Sequence, residues 1–285
     1  MKIGSKDFDI KNRTYVMGIL NVTPDSFSDG GMNRTPDQAL YHCEQMLKEG
    51  ADLIDVGGES TRPGHRAVSE QEEIERVSPV IEAIRSRFDP VISLDTRKSR
   101  VAAAGIAAGA DLINDISGLT HDPAMAGLIG EAGIPCCLMA YRDHGMEDPE
   151  ESPEAFLRDL EGRLGTAVRT ALSGGIGKDR IILDPGVGFG RTRQQDLLTM
   201  RILGDLNKAG YPVLLGASRK RVIGEVLGLA PEERDNATTA LSVYAAMKGC
   251  AFVRVHNVGL NVQALRMLRA VGEAGDGGYS PCFLL

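Results

Sequence analysis

Gly50-Ala51-Asp52-Leu53-Ile54-Asp55 and Gly109-Ala110-Asp111-Leu112-Ile113-Asn114 repeat one phrase. Each sets Gly-Ala-Asp at a helix-to-strand turn, continues with an apolar pair, and ends on a polar side chain leaving the strand. A repeated βα unit explains this echo with no appeal to function. The wider pattern agrees. Apolar runs recur at Val16–Leu20, Leu53–Val56, Val91–Leu94, Leu112–Ile113, Ile134–Met139, Ile181–Leu183, Val213–Leu215 and Phe252–Val255. Each has the length of a strand and is bounded by Gly, Pro, Asp or Asn. Their near-continuous hydrophobicity predicts strands buried on both faces, as in a parallel sheet.

Helical signals fill the intervals. Ser69-Glu70-Gln71-Glu72 reads as a capping box opening a helix with Ile74, Val77, Ile81, Ile84 and Phe88 on one face. Thr35-Pro36 and Ser152-Pro153 place a cap before a proline suited to the first turn. Phe156, Leu160, Leu164, Val168 and Ala171 extend the second of these, which stops at Gly174-Gly175. Eight strands alternating with helices over about 250 residues predict an α/β fold, a single (β/α)8 TIM barrel. It covers residues 1–272, has long βα loops 1 and 2, and leaves a frayed tail at 273–285. An open doubly wound sheet is the rival architecture at this length.

Composition narrows the partners. The 285 residues carry 32 Lys and Arg against 39 Asp and Glu, a net charge of −7, with no cationic run. A broad nucleic-acid footprint is excluded, whereas a local cationic pocket for a small anion is not. No stretch approaches a membrane span, and Met1–Tyr15 lacks the apolar region of a signal peptide. The scattered Cys43, Cys136, Cys137, Cys250 and Cys282 have no metal-ligand spacing and read as reduced thiols of a cytoplasmic protein.

Barrel active sites form at the carboxyl ends of the strands. Those positions hold Asn21, then Gly57-Gly58-Glu59-Ser60-Thr61-Arg62, Asp95, Asn114-Asp115, Ala140-Tyr141, Asp184, Ser218-Arg219-Lys220 and Arg254-Val255-His256-Asn257. One Asp after a strand is most often a helix cap, but so many polar strand ends exceed what capping explains. Asp95, Asn114 and Asp184 suit a flat heterocycle bearing amino and ring N–H groups. Arg62, Lys220, Arg254 and His256 suit phosphate oxygens or a departing anion. The Gly-rich segments Asn21–Asn33 and Gly57–Val68 are long enough to be lids or binding loops. A P-loop is absent, and Gly186-Val187-Gly188-Phe189-Gly190 lacks dinucleotide spacing.

These residues carry a resemblance to the dihydropteroate synthase family along nearly the whole chain. Met17-Gly18-Ile19-Leu20-Asn21-Val22-Thr23-Pro24-Asp25-Ser26-Phe27-Ser28-Asp29-Gly30-Gly31 is similar to the family's first signature. Asp55-Val56-Gly57-Gly58-Glu59-Ser60-Thr61-Arg62-Pro63-Gly64 is similar to its second. Shorter blocks around Asp95, Asn114, Asp184–Gly190, Ser218–Lys220 and Arg254–His256 follow in order.

The resemblance implies a transferase that joins 6-hydroxymethyl-7,8-dihydropterin diphosphate to 4-aminobenzoate, assisted by Mg²⁺. It further implies pterin contacts at Asp95, Asn114, Asp184 and Lys220, and diphosphate contacts at Asn21, Arg62, Arg254 and His256. Asn21 would be the metal's protein ligand. Phe27, Thr61, Pro63, Phe189 and Ser218 would surround the aminobenzoate. Asp95, Lys220, Arg254 and His256 are the catalytic group. The family context adds a homodimer, a cytoplasmic location and a sulfonamide target, with neither nucleic acid nor membrane as partner.

The chain departs from the family pattern at three points. Ala140-Tyr141 stands where His is usual after Leu138-Met139, Arg191 replaces a usual Lys, and Asn257 a usual Asp. These bear on the fifth loop and on the helper of His256. A methyltransferase acting on methyltetrahydrofolate would share a barrel and a pterin pocket, but has no need of Ser218-Arg219-Lys220 or of an Arg254/His256 anion site. A paralogue that only binds pterin would not need the full ionisable set.

Overall fold

The eight apolar runs look continuous because each strand buries both of its faces, and the two faces pack against different partners. The computed structural model describes residues 1–22, 36–60, 67–143 and 145–274. An antiparallel hairpin, β1 (Lys2–Ile3) and β2 (Lys6–Asp7), precedes the main sheet. Eight strands follow: β3 (Tyr15–Asn21), β4 (Leu53–Gly57), β5 (Val91–Asp95), β6 (Leu112–Asp115), β7 (Cys136–Met139), β8 (Ile181–Asp184), β9 (Leu214–Leu215) and β10 (Phe252–Val255). Their order is β8-β7-β6-β5-β4-β3-β10-β9, every pairing is parallel, and a Leu183–Val213 bridge joins the two ends. This closure removes the sheet edges and excludes the open doubly wound alternative.

The helices form the outer ring. After β3 comes α1 (Pro36–Glu49), after β4 α2 (Glu70–Arg87), after β5 α3 (Ser99–Ala108), after β6 α4 (Met125–Ala132) and after β7 α5 (Pro153–Ser173). The last three strands are followed by α6 (Arg193–Arg201) and α7 (Leu203–Asn207), by α8 (Arg221–Leu227) and α9 (Asp235–Met247), and by α10 (Val258–Glu273). Ser152 caps α5 as expected, its hydroxyl accepting from the Ala155 N–H at 3.2 Å. Ser69 caps α2 through the Glu72 N–H, yet the Glu72 carboxylate turns to Arg76 at 2.5 Å, so the capping box is only half made. A complete box stands instead at Thr192 and Gln195, opening α6.

Outward-facing strand residues such as Ile54, Leu94, Ile113, Leu138 and Val253 pack under the helices in one large core. Inward-facing residues near the strand starts form a second, separate cluster that includes Tyr15, Leu53, Val91, Leu112 and Phe252. The amino-terminal hairpin, which the sequence pattern did not announce, closes this end of the barrel. Ile3 and Phe8 are buried in the cluster, and Phe8 meets Tyr15 edge-on at 4.7 Å between ring centroids. The backbone N–H of Asp9 donates to the Tyr15 hydroxyl at 2.8 Å, so that buried ring keeps a partner for its polar tip. With the lower end sealed, the open mouth lies at the strand carboxyl ends.

Phe8 is a stability residue remote from that mouth. Phe8→Ala should destabilise the protein by about 3–5 kcal/mol, the usual effect of emptying a large buried aromatic site. Urea denaturation checks this, and a loss under 1 kcal/mol would mean that the hairpin does not plug the barrel.

Candidate active site

Strand alternation sends every second residue into the barrel, and above the apolar layer most of these residues are polar. Arg254 on β10 is the hub. Its Nε donates to Asp55 Oδ2 at 2.6 Å, and its Nη2 donates to Asp95 Oδ2 at 2.8 Å. The Asn114 amide donates to the same Asp55 oxygen at 3.4 Å. Asp55 is wholly buried, and its Oδ1 has no hydrogen-bond partner among the described residues. Burial opposes the Arg254 charge, but Asp55 and Asp95 outweigh it and hold its pKa above the ordinary value. For Asp95, burial is the leading cause and Arg254 only partly offsets it, so its pKa is pushed up to about 7.

Parallel register sets Asn21, Gly57 and Asp95 side by side on β3, β4 and β5. A Cβ built on Gly57 would lie 3.7 Å from Asn21 Oδ1 and 3.6 Å from Asp95 Cβ. The glycine therefore keeps open the space between an amide oxygen and a carboxylate.

Across the mouth stands Asp184 at the end of β8. Its Oδ1 accepts the Gly186 N–H at 2.6 Å, which is the turn-capping bond that an Asp before Pro-Gly suggests. Its Oδ2 faces Gly216, where an added Cβ would stand 3.4 Å away. Burial raises the Asp184 pKa, with Lys220 opposing. Burial likewise pulls Lys220 down to about 8, against Asp184. The Lys220 ammonium donates to the Val187 carbonyl and sits 4.1 Å over the centre of the Phe189 ring. Gly188 has φ +83°, and a Cβ there would fall 2.6 Å from the Lys220 stem. Glycine at 188 thus serves a left-handed turn and a close lysine, not a dinucleotide.

Beside Lys220, Ser218 Oγ is 2.9 Å from His256 Nδ1 and accepts the His256 backbone N–H at 3.1 Å. The serine hydroxyl can donate to or accept from Nδ1, so it anchors the imidazole ring in either neutral tautomer. The structure thus gathers Asn21, Asp95, Asn114, Asp184, Phe189, Ser218, Lys220, Arg254 and His256 at one mouth. Phe27, Thr61, Arg62 and Pro63 lie outside the described residues.

The departures from the family pattern acquire local explanations. Arg191 is buried, and its Nη2 donates to the Ala140 carbonyl at 3.0 Å, tying the ends of β7 and β8 together. Burial brings its pKa down to about 10, with Asp196 and Asp184 opposing. Asn257 caps α10 by accepting the Leu260 N–H at 3.2 Å, and its amide donates to Asp235 at 3.1 Å.

The sequence reading marked Asp55 only as a polar side chain leaving its strand, without a role at the site, and it missed Lys98. Asp55 sits inside an apolar run, where an acid on a strand buried on both faces is itself the signal. Lys98 donates to Glu59 at 2.6 Å, to Glu73 at 2.7 Å and to the Val68 carbonyl at 2.6 Å. Burial disfavours its charge, but these two carboxylates keep its pKa raised. It therefore joins the end of the β4 strand to the start of α2.

A closed (β/α)8 barrel with ionisable groups at its mouth is an enzyme architecture. Comparison with known proteins makes the class specific. A family model described as pterin binding enzyme matches residues 17–256. The dihydropteroate synthase of Clostridium beijerinckii is 50% identical over 268 residues, covering 94% of this chain and 97% of that one. A crystal structure of the dihydropteroate synthase of Clostridium difficile in the presence of pteroic acid superposes with a TM-score of 0.88 at 42% identity, covering 94% of this chain and 100% of that one. One from Xanthomonas albilineans with 4-aminobenzoic acid gives 0.86 at 40% identity, covering 93% and 95%. The chain belongs to the dihydropteroate synthases of the pterin-binding enzyme family, and it is a transferase.

The Asp95 shift has a signed consequence. A carboxyl whose folded pKa of about 7 exceeds the unfolded 3.8 holds extra protons in the native state, so its contribution to stability falls as pH rises between those values. Thermal unfolding from pH 4 to 8 should show this decline in the ligand-free protein, and Asp95→Asn should flatten it. An equal slope in both proteins would contradict the shift.

Proposed function

We propose that this chain condenses 6-hydroxymethyl-7,8-dihydropterin diphosphate with 4-aminobenzoate to give 7,8-dihydropteroate and pyrophosphate. The observation that carries the reading is the convergence of Asp95, Asn114, Asp184 and Lys220 with the Ser218–His256 pair at one barrel mouth. Relatives solved with pteroic acid and with 4-aminobenzoic acid support the substrate pair.

In this reading Asp184 Oδ2 and Asn114 hold the amino-pyrimidinone edge of the pterin. Lys220 lies along the ring and stacks on Phe189. The C–O bond to the diphosphate breaks with its electron pair leaving on pyrophosphate, and positive charge develops on the exocyclic methylene. Asp95 stabilises that charge, while Arg254 and His256 donate to the departing oxygens. The aniline nitrogen then forms the new C–N bond and releases its proton. Binding energy goes into positioning and fixed dipoles, with no covalent link to the protein. Ser218 and Phe189 serve the aminobenzoate; the family resemblance assigns Phe27, Thr61 and Pro63 to the same substrate and Arg62 to the diphosphate.

The donor set fits Mg²⁺ in a substrate-shared form. Asn21 Oδ1 is a hard oxygen in an open cradle beside Asp95, and the described residues hold no cluster of three or more His, Cys, Asp or Glu able to cage a metal. An ion held by Asn21 and diphosphate oxygens matches the habit of Mg²⁺ to take few protein ligands. When bound, it would offset charge on the leaving pyrophosphate.

Purified protein mixed with the pterin diphosphate, 4-aminobenzoate and Mg²⁺ should release pyrophosphate and form dihydropteroate. Excess chelator should abolish turnover, and Asn21→Ala should raise the Mg²⁺ concentration giving half activity. Absence of product would refute the function, and full activity in chelator would refute the metal.

A further inference from the structure

We propose that Asp235 is a positioning residue that locks together the two loops carrying Ser218, Lys220 and His256, and that Asn257 is the residue matched to it. This rests on the function proposed above only for its kinetic readout.

Asp235 opens α9, outside the barrel mouth, and touches both loops at once. From the loop after β9, the Arg219 guanidinium grips its carboxylate in two-pronged fashion, Nε to Oδ1 at 2.6 Å and Nη2 to Oδ2 at 2.7 Å. From the loop after β10, the Asn257 amide donates to the same Oδ2 at 3.1 Å. Arg219 has a reason to need such a grip. Its φ of +56° lies in the left-handed region, which disfavours a side chain as long as arginine. Further bonds on α9 and before it over-determine that turn. The Arg219 N–H donates to Thr238 Oγ1 at 3.1 Å, and Arg234 donates to the Arg219 carbonyl at 3.0 Å and the Lys220 carbonyl at 3.3 Å. The left-handed residue thus turns its side chain to Asp235, while its neighbours Ser218 and Lys220 meet His256 and Phe189.

Asn257 completes the match. Its Oδ1 accepts from Leu260 as the α10 cap, so its other side-chain atom must be a donor to face the Asp235 carboxylate. An aspartate at 257 would cap equally well but would set two carboxylates in contact. The Arg219 interaction lowers the Asp235 pKa, so that repulsion would act in the ionised state. His256 is the neighbour of Asn257, and the strain would reach its Ser218 bond first.

The test uses the full chain and compares wild type with Asp235→Asn, Asn257→Asp and the double variant. The ring ¹⁵N shifts of His256 are measured without ligand, with the melting temperature and the aminobenzoate KM alongside. Each single variant should move the His256 shifts and raise the aminobenzoate KM at least fivefold, with kcat changed less. In the double variant the donor–acceptor contact between 235 and 257 is reversed but intact, whereas the two-pronged Arg219 grip on position 235 is lost. The double variant should lose clearly less than the product of the two single losses, and no more than Asp235→Asn alone, the non-additivity expected of groups in contact. Should Asp235→Asn not fold, Arg219→Lys, which keeps the charge and loses the two-pronged grip, should move the same shifts. Unmoved His256 shifts in the folded variants, or losses that multiply in the double variant, overturn the proposal. The NMR result stands even if the synthase assay fails, so the two failures are distinguishable.

Discussion

A guanidinium inside a sealed barrel must bring its own counter-charges, and Arg254 does so by reaching past β3 to Asp55 on β4 and Asp95 on β5. Leaving either partner unpaired in such surroundings costs about 3–5 kcal/mol, so the three groups stand or fall together. The pairing also sets the chemistry of the mouth. Arg254 splits its attraction between two carboxylates, and burial, which Arg254 offsets only in part, leaves Asp95 with a pKa near neutrality. The hairpin plug keeps water from the lower end of this layer and makes each charge count for more.

The rest of the mouth follows from that division. On one side stand acceptors and an amide, with Asp184 using one oxygen for its own turn and Oδ2 directed at Gly216. Next to Asp184 stands a second set, a lysine laid over a phenyl ring and a serine–histidine pair. A pterin-dependent methyl transfer would use the acceptors and the amide and has no role for the serine–histidine pair. In the function proposed above, the second set meets the departing anion and the aromatic amine.

Much of this was legible in the sequence, for identifiable reasons. Every barrel strand coincides with an apolar run because burial on both faces leaves an unmistakable mark. The strand-end residues could be picked out because the fold concentrates function at one end of each strand. The hairpin was not legible, since two-residue strands carry too little period to detect. Asp55 stood out as a polar strand residue, but its pairing with Arg254, 199 positions away, was not legible. Lys98 and Asp235 were hidden because their partners lie far away in sequence, and only the folded chain brings Glu59, Glu73, Arg219 and Asn257 to them. The half-made box at Ser69 is the reverse case, in which a local signal yields to Arg76, which draws the Glu72 carboxylate away.

The polar layer is a pterin pocket only if Asp184 recognises the heterocycle, and one affinity measurement decides that. Asp184→Asn keeps Oδ1 for the Gly186 turn and replaces Oδ2 with a donor. Calorimetric titration with 6-hydroxymethylpterin should show a correctly folded variant whose affinity has fallen by about 2–4 kcal/mol, because a charge-assisted pair is replaced by two opposed donors. Wild-type affinity in that folded variant would contradict the pocket assignment.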